Sequence, residues 1–274
     1  LQFDIRPRRM TVAAFIGGIG VLGPGLDSWP HTAAVLSGRQ PYAPSVTVLP
    51  TPSMLPPAER RRTGRVVKVA MAVALEAANS AGADPRQVSS VFSSSGGDGH
   101  ICHEICQALA LPSREVSPTR FSNSVHNVAA GYWSIATGSM TESNVLCAFD
   151  ASFGAGLLDA LTQTAVDQRA VLLVAYDTEY PPPLHAKRPI PDAMGVAMLL
   201  TPGRDSGSLA RMEVDLSQEP SEKISDPALE SLRLAIPAAR SLPLLRLLAS
   251  GASGRVVLDY LDVSRIAVQV APCV

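Results

Sequence analysis

Charge is scarce in this 274-residue sequence and evenly split: 23 Lys and Arg face 24 Asp and Glu, a net of −1, and charged residues are 17% of the chain. That balance leaves no electrostatic footprint for nucleic acid or for an anionic membrane surface. Cysteine is equally thin. Four residues, two of them in Cys102-x-x-x-Cys106, make no disulfide framework in a chain of this length and suit a reducing cytoplasm. No histidine follows His185, so any chemistry needing imidazole must draw on the first two thirds of the chain. What is present, 46% hydrophobic residues and 20 glycines, is the composition of a globular protein of one large or two small domains.

Arg6, Arg8 and Arg9 ahead of the apolar run Val12 to Leu22 give the outline of a signal peptide. Glycines at 17, 18, 20 and 23, the turn Gly23-Pro24-Gly25 and the lack of a small-x-small cleavage site instead predict a strand entering a glycine turn. The sequence opens on Leu1, so an upstream piece is expected to have been removed. Gly17-Gly18-Ile19-Gly20 is no dinucleotide fingerprint, because Pro24 breaks the helix that would have to follow. Prolines at 41, 44, 50, 52, 56 and 57 predict an irregular surface excursion. Arg60, Arg61 and Arg62 could clamp a phosphate, or simply begin a helix while pairing with carboxylates.

Val66 to Ala81 reads as a small-residue helix stopped by Gly82, and Val88 to Ser94 as a buried strand. A helix from about His100 carries His100, Cys102, His103 and Cys106. His103 and Cys106, or Cys102 and Cys106, would share a face of it, but no second cluster follows at zinc spacing, so no metal or other cofactor is expected and Cys102 can join the core. The continuous apolar run Ala170 to Asp177 predicts a strand buried on both faces, and Ala193 to Leu200 another. Gly203 to Gly207 is the best candidate boundary, dividing the chain into 1–203 and 204–274. Beyond it lie a strand at Leu209 to Leu216, helices between Asp226 and Leu248 parted at Pro237, and strands at Val256 to Tyr260 and Arg265 to Val270. Strands alternating with helices predict a largely parallel α/β sheet.

The chain is organised around Ser117 to Ala160: a loop, a small-residue helix from Asn127 to Ala136, an apolar strand from Val145 to Phe149, the turn Asp150-Ala151-Ser152-Phe153-Gly154, and a helix from about Ala155. A strand feeding a helix through such a turn holds a nucleophile where free N–H groups favour a developing anion. In order and spacing the stretch resembles the N-terminal half of the β-ketoacyl synthases, whose Ser-Pro loop, Asn, Ala-Gly helix and Gly-ended turn precede a strand ending in Ala-Cys-x-Ser-Gly. Ser117-Pro118, Asn127, Ala130-Gly131, Gly138 and Ser152 lie on that pattern without a gap, and the cysteine position falls on Asp150. The opening strand and turn, Trp29 and Leu36-Ser37-Gly38 fit the same family. The resemblance implies a thiolase-like α-β-α layered fold, complete in its N-terminal half, with Ala193 to Leu200 as the edge element of that half and 204–274 as a truncated second half of β-α-β-β order.

A carboxylate at 150 cannot exchange thioesters as a thiolate does. The histidine motifs by which the family stabilises its condensation intermediate are missing as well. Cys147, in an apolar strand, is expected to be a small buried hydrophobe, and Ser152 fits a structural serine of the family, although either could serve as nucleophile of a hydrolase or acyltransferase. The segment Phe121 to Ile135 looks most like the short ketosynthase-like proteins of bacterial aryl polyene clusters. The resemblance therefore implies a non-catalytic subunit similar to chain length factors. It would pair with a catalytic ketosynthase, or with itself, through Val145 to Phe149, receive substrate from an acyl carrier protein, and line the partner's acyl tunnel with Phe121, Val125 and His126. A carrier-protein-binding scaffold is the remaining alternative.

Overall fold

The computed structural model describes residues 12–273; the expectations placed on Leu1, Arg6, Arg8 and Arg9 fall outside them. The chain opens with β1 (Val12–Leu22), a Gly23–Leu26 turn and α1 (Trp29–Leu36). After the proline-rich strap come α2 (Pro57–Arg60), α3 (Arg65–Ser80), β2 (Ser89–Ser93), α4 (Gly99–Ala110), α5 (Pro118–Asn123) and α6 (Val128–Thr137). Then follow β3 (Ser143–Leu146), α7 (Ser152–Asp167), β4 (Val171–Asp177), β5 (Met194–Thr201) and β6 (Ala210–Ser217). The chain ends with α8 (Pro227–Ala235), α9 (Leu242–Ser250), β7 (Gly254–Leu258) and β8 (Arg265–Pro272).

The eight strands among the described residues join one sheet in the order β3-β2-β4-β5-β1-β6-β8-β7. Strand β4 shows how it is covered. Its side chains alternate, Val171, Leu173 and Ala175 entering a core with α7 and α9, and Leu172, Val174 and Tyr176 entering a second core with α3 and α6. A sheet buried on both faces between helical layers is the α-β-α sandwich. Strand β1 packs on α3 through glycine: a Cβ on Gly20 would strike the carbonyl of Val73 and one on Gly18 that of Ala77. Gly82 stands at φ +62°, as the stop after α3 requires.

The sheet is mixed, not largely parallel. Only β2–β3 and β2–β4 run parallel; β4–β5, β5–β1, β1–β6, β6–β8 and β8–β7 are antiparallel. Parallel neighbours need a crossover helix, and the link from β4 to β5 offers only a 3-10 turn at Leu184–Ala186. Strand β5 is consequently interior, paired with β4 on one side and β1 on the other, rather than an edge. The glycines at 203 and 207 lie in the loop from β5 to β6, and residues beyond it extend the same sheet and share a core with α7. Two shorter expectations also shift: Pro118–Asn123 is helical rather than loop, and β3 stops at Leu146, three residues before Phe149.

Candidate functional site

The parallel strands β2, β3 and β4 end together at the head of α7, the position at which an open α/β sheet forms its binding crevice. Ser152 sets the geometry there. Its hydroxyl accepts the amide of Ala148 (3.0 Å) and donates to the carbonyl of Phe149 (2.7 Å), which starts α7 at Ser152 rather than Ala155. Both of its contacts are backbone groups and the residue is buried. The turn throws Phe149 into a left-handed conformation, φ +51°, with its ring outward.

Asp150 is half-exposed and held by two arginines. Arg188 Nη2 lies 2.7 Å from its Oδ1 and Arg240 Nη2 lies 3.1 Å from its Oδ2. Arg188 also stacks on Phe149, its guanidinium carbon 3.7 Å from the ring centre, a cation–π contact. Thus the carboxylate of Asp150 has an arginine on each oxygen. Cys147 follows the end of β3 and is exposed, contrary to its expected burial, because the strand has stopped by then; its thiol donates to the Ser95 carbonyl at 3.3 Å.

Behind this surface lies Asp177 at the end of β4, fully enclosed. Its Oδ1 accepts the amide (2.9 Å) and hydroxyl (2.5 Å) of Ser95, and its Oδ2 the amide of Ala238 (2.9 Å). Burial pushes its carboxyl up to about 6, against the opposing pull of those donors and of Arg188. Burial likewise raises the phenol of Tyr180, whose ring rests on Gly96 and Gly99, where a Cβ would collide with it.

The tunnel candidates lie on α5 and the turn from α5 to α6, where a Cβ on Gly97 would come within 4.0 Å of the His126 Cα. Phe121 and Val125 are exposed, 68% and 46%, and His126 Nε2 is enclosed with no hydrogen-bond partner. Their frame is Asn123, unremarked in the sequence, which donates to the Arg62 carbonyl (2.9 Å) and accepts from Tyr132 (3.3 Å). Arg60 is tied to the carbonyls of Ser53 and Leu55 and Arg62 pairs with Glu59, so a triple-arginine phosphate clamp is not assembled. Cys102 and Cys106 are exposed on α4 rather than in the core, and no group of three His, Cys, Asp or Glu that could hold a metal occurs among the described residues. No helix there is long and apolar enough to cross a membrane.

Sequence reasoning missed Arg188, Arg240 and Asp177. Arg240 lies ninety positions from Asp150, and nothing local marks it. Asp177 had a signal, a carboxylate closing an otherwise apolar buried strand.

The sequence model of the β-ketoacyl synthase N-terminal domain matches residues 35–251. No curated protein sequence matches the chain significantly. A chain of the ketosynthase (ApeO) and chain length factor (ApeC) complex from Xenorhabdus doucetiae superposes with TM-score 0.71 at 23% identity, over 94% of this chain and 99% of its own. The ishigamide ketosynthase/chain length factor gives 0.70 at 12% identity, over 96% and 100%. The AntDE:AntF complex of a type II polyketide ketosynthase with its acyl-carrier protein gives 0.72 at 11% identity, over 96% and 100%. At these identities the structures establish the thiolase-like fold. This chain belongs to the β-ketoacyl synthase family.

Proposed function

We propose that this chain is a ketosynthase-like subunit of chain-length-factor type, one that condenses nothing itself and pairs with a catalytic β-ketoacyl synthase in fatty acid or polyketide synthesis of aryl-polyene-like kind. The observation carrying this reading is Asp150 at the head of α7 with both carboxylate oxygens engaged by Arg188 and Arg240. A nucleophile there needs a free lone pair and a pathway for attack; this group has an ion pair on each side.

Pairing is supported by what the chain leaves uncovered. Among the described residues strand β3 is an edge of the sheet, paired with β2. On the segments from α4 to β3, Leu109, Leu111, Phe121, Ile135 and Met140 are exposed, and of α4 only Gly99 is buried. An unpaired edge and exposed apolar side chains each offer a second subunit a place to dock. Three structures similar to this one contain a ketosynthase, one of them bound to its acyl-carrier protein; by analogy an acyl carrier protein delivers substrate to the paired assembly, in the cytoplasm. In that assembly Phe121, Val125 and His126 line the partner's acyl tunnel, and residues 204–274 serve as the short extension that completes the fold.

The test is co-expression with a ketosynthase encoded beside it, followed by mass measurement and product analysis. A stable 1:1 complex is expected. Val125→Ala and Val125→Phe should shift product length in opposite directions, since a few methylenes in such a pocket are worth about 1 to 3 kcal/mol. The exposure of Cys147 favours a second reading, an acyltransferase or hydrolase; turnover-dependent labelling of Cys147 or Ser152 by an acyl probe would replace the first reading with it.

A further inference from the structure

The end of β1, one face of α3 and the proline-rich strap line a half-open cavity of about 730 Å3, within the size range of small-molecule sites. It shares no residue with the Asp150 turn. The strap is pinned on either side of it. Thr47 donates its amide to Asp192 Oδ2 (2.6 Å) and its hydroxyl to the Ala193 carbonyl (2.7 Å), and Arg60 reaches the carbonyls of Ser53 and Leu55 at 3.0 and 2.9 Å. Between the pins Val48, Pro50 and Pro52 face the cavity. Prolines have no amide hydrogen and a fixed φ, so this roof is stiff and lacks donors of its own at those two positions.

The opposite wall is Lys68, Met71, Ala72, Leu75 and Glu76 of α3. These positions, spaced three and four apart, form a single helix face. Lys68 and Glu76 stand about 12 Å apart along the axis, with only apolar side chains between them. Of the acidic groups of the lining, Glu76 is already engaged. It accepts the amides of Val21 (2.9 Å) and Trp29 (2.6 Å), one on each oxygen, while Asp27 is exposed to solvent and its backbone amide donates to His31 Nδ1. The Lys68 ammonium, by contrast, has no hydrogen-bond or ion-pair partner among the described residues and stands in the lining.

We propose that this cavity binds a small amphipathic anion, an apolar chain or ring bearing one carboxylate, with the carboxylate at Lys68 and the apolar body lying along Met71, Ala72 and Leu75 beneath the strap. The engaged state of Glu76 and the uncommitted charge of Lys68 set the sign of the head group. The apolar stretch sets its length.

Calorimetric titration of the protein with sodium decanoate, decanol and decyltrimethylammonium below their aggregation limits tests it. One decanoate should bind per chain, at least tenfold tighter than either of the others, and Lys68→Met should weaken decanoate about tenfold, equivalent to about 1.4 kcal/mol, while leaving decanol unchanged. Ala72→Trp, or Val48→Trp should the first fail to fold, should abolish binding of decanoate at unchanged Tm by filling the cavity. Equal affinity of Lys68→Met and the parent, undiminished binding in the Trp variants, tighter binding of the ammonium compound, or no saturable decanoate binding would each overturn the proposal.

Discussion

Arg240 Nη2 stands 3.1 Å from Asp150 Oδ2, tying the segment between α8 and α9 to the turn ninety positions earlier that begins α7. Arg188 holds the other oxygen at 2.7 Å. The turn is therefore shaped by long-range charge pairing as well as by its local hydrogen bonds.

A cysteine placed at position 150 should not confer condensing chemistry. Asp150→Cys supplies a thiol but no donors for the condensation intermediate, since no histidine follows His185. We expect no turnover of malonyl-carrier protein, measured by mass spectrometry, by either the parent or the variant alone. The variant should also lose about 0.5 to 1 kcal/mol of stability, the worth of a half-exposed pairing.

Asp177 should make the fold less stable as pH rises. Its carboxyl titrates near 6 when folded, pushed up by burial, against about 3.9 in an unfolded chain. A raised folded pKa gives a contribution fully present below about 4 and lost as pH climbs through 6, amounting to about 3 kcal/mol. Urea unfolding of the parent and of Asp177→Asn should show the difference between them shrinking by that amount from pH 4 to pH 7. Parallel stability curves would refute it.

Arg233 is 4% exposed and pairs with Glu230 (2.7 Å) and with Asp259. Its hydrogen bonds hold the Glu230 carboxyl down at about 2. Arg233→Met leaves two half-buried carboxylates without their shared cation and should cost about 2 to 4 kcal/mol at pH 7. Because the folded pKa of Glu230 is depressed, its contribution is present above about 4.5 and fades as pH falls toward 2; the variant should lack that acid limb in the same unfolding assay.

Phe121→Asp should separate folding from assembly. The ring is 68% exposed, so the isolated chain should change in stability by no more than about 0.5 kcal/mol. The complex with a ketosynthase should weaken about tenfold or more, the loss expected of an aromatic anchor at an interface, as read by size-exclusion mass measurement across a dilution series. Unchanged dissociation would remove this surface from the interface.

Elements announced by continuous local pattern were legible in the sequence. The apolar run of β4, the glycine-broken strand β1 and the helix stopped by Gly82 all read directly, as did the acidic residue at position 150. Strand direction did not, because it depends on whether a connection contains a crossover helix, and the link after β4 folds as a 3-10 turn bounded by prolines. The arginine pair on Asp150 was invisible for a related reason. Arg188 and Arg240 come from 38 and 90 positions away, and only the sheet and the core with α7 and α9 bring them together. Cys147 changed its surroundings because β3 ends one residue before it.

The position of β1 makes the order of synthesis and the order of assembly run in opposite directions. Val12–Leu22 bonds to β5 on one side and to β6 on the other, so the middle of the sheet waits for residues near 200 and beyond. At ribosomal rates of about 5 to 20 residues per second that is a delay of about ten to forty seconds. Meanwhile α3 can cover one face of β1 through the glycines at 18 and 20, but both hydrogen-bonding edges of the strand stay open. Such edges invite pairing with other chains, so the yield of native protein should depend on how well the emerging first half is shielded on the ribosome, whatever the stability of the finished fold.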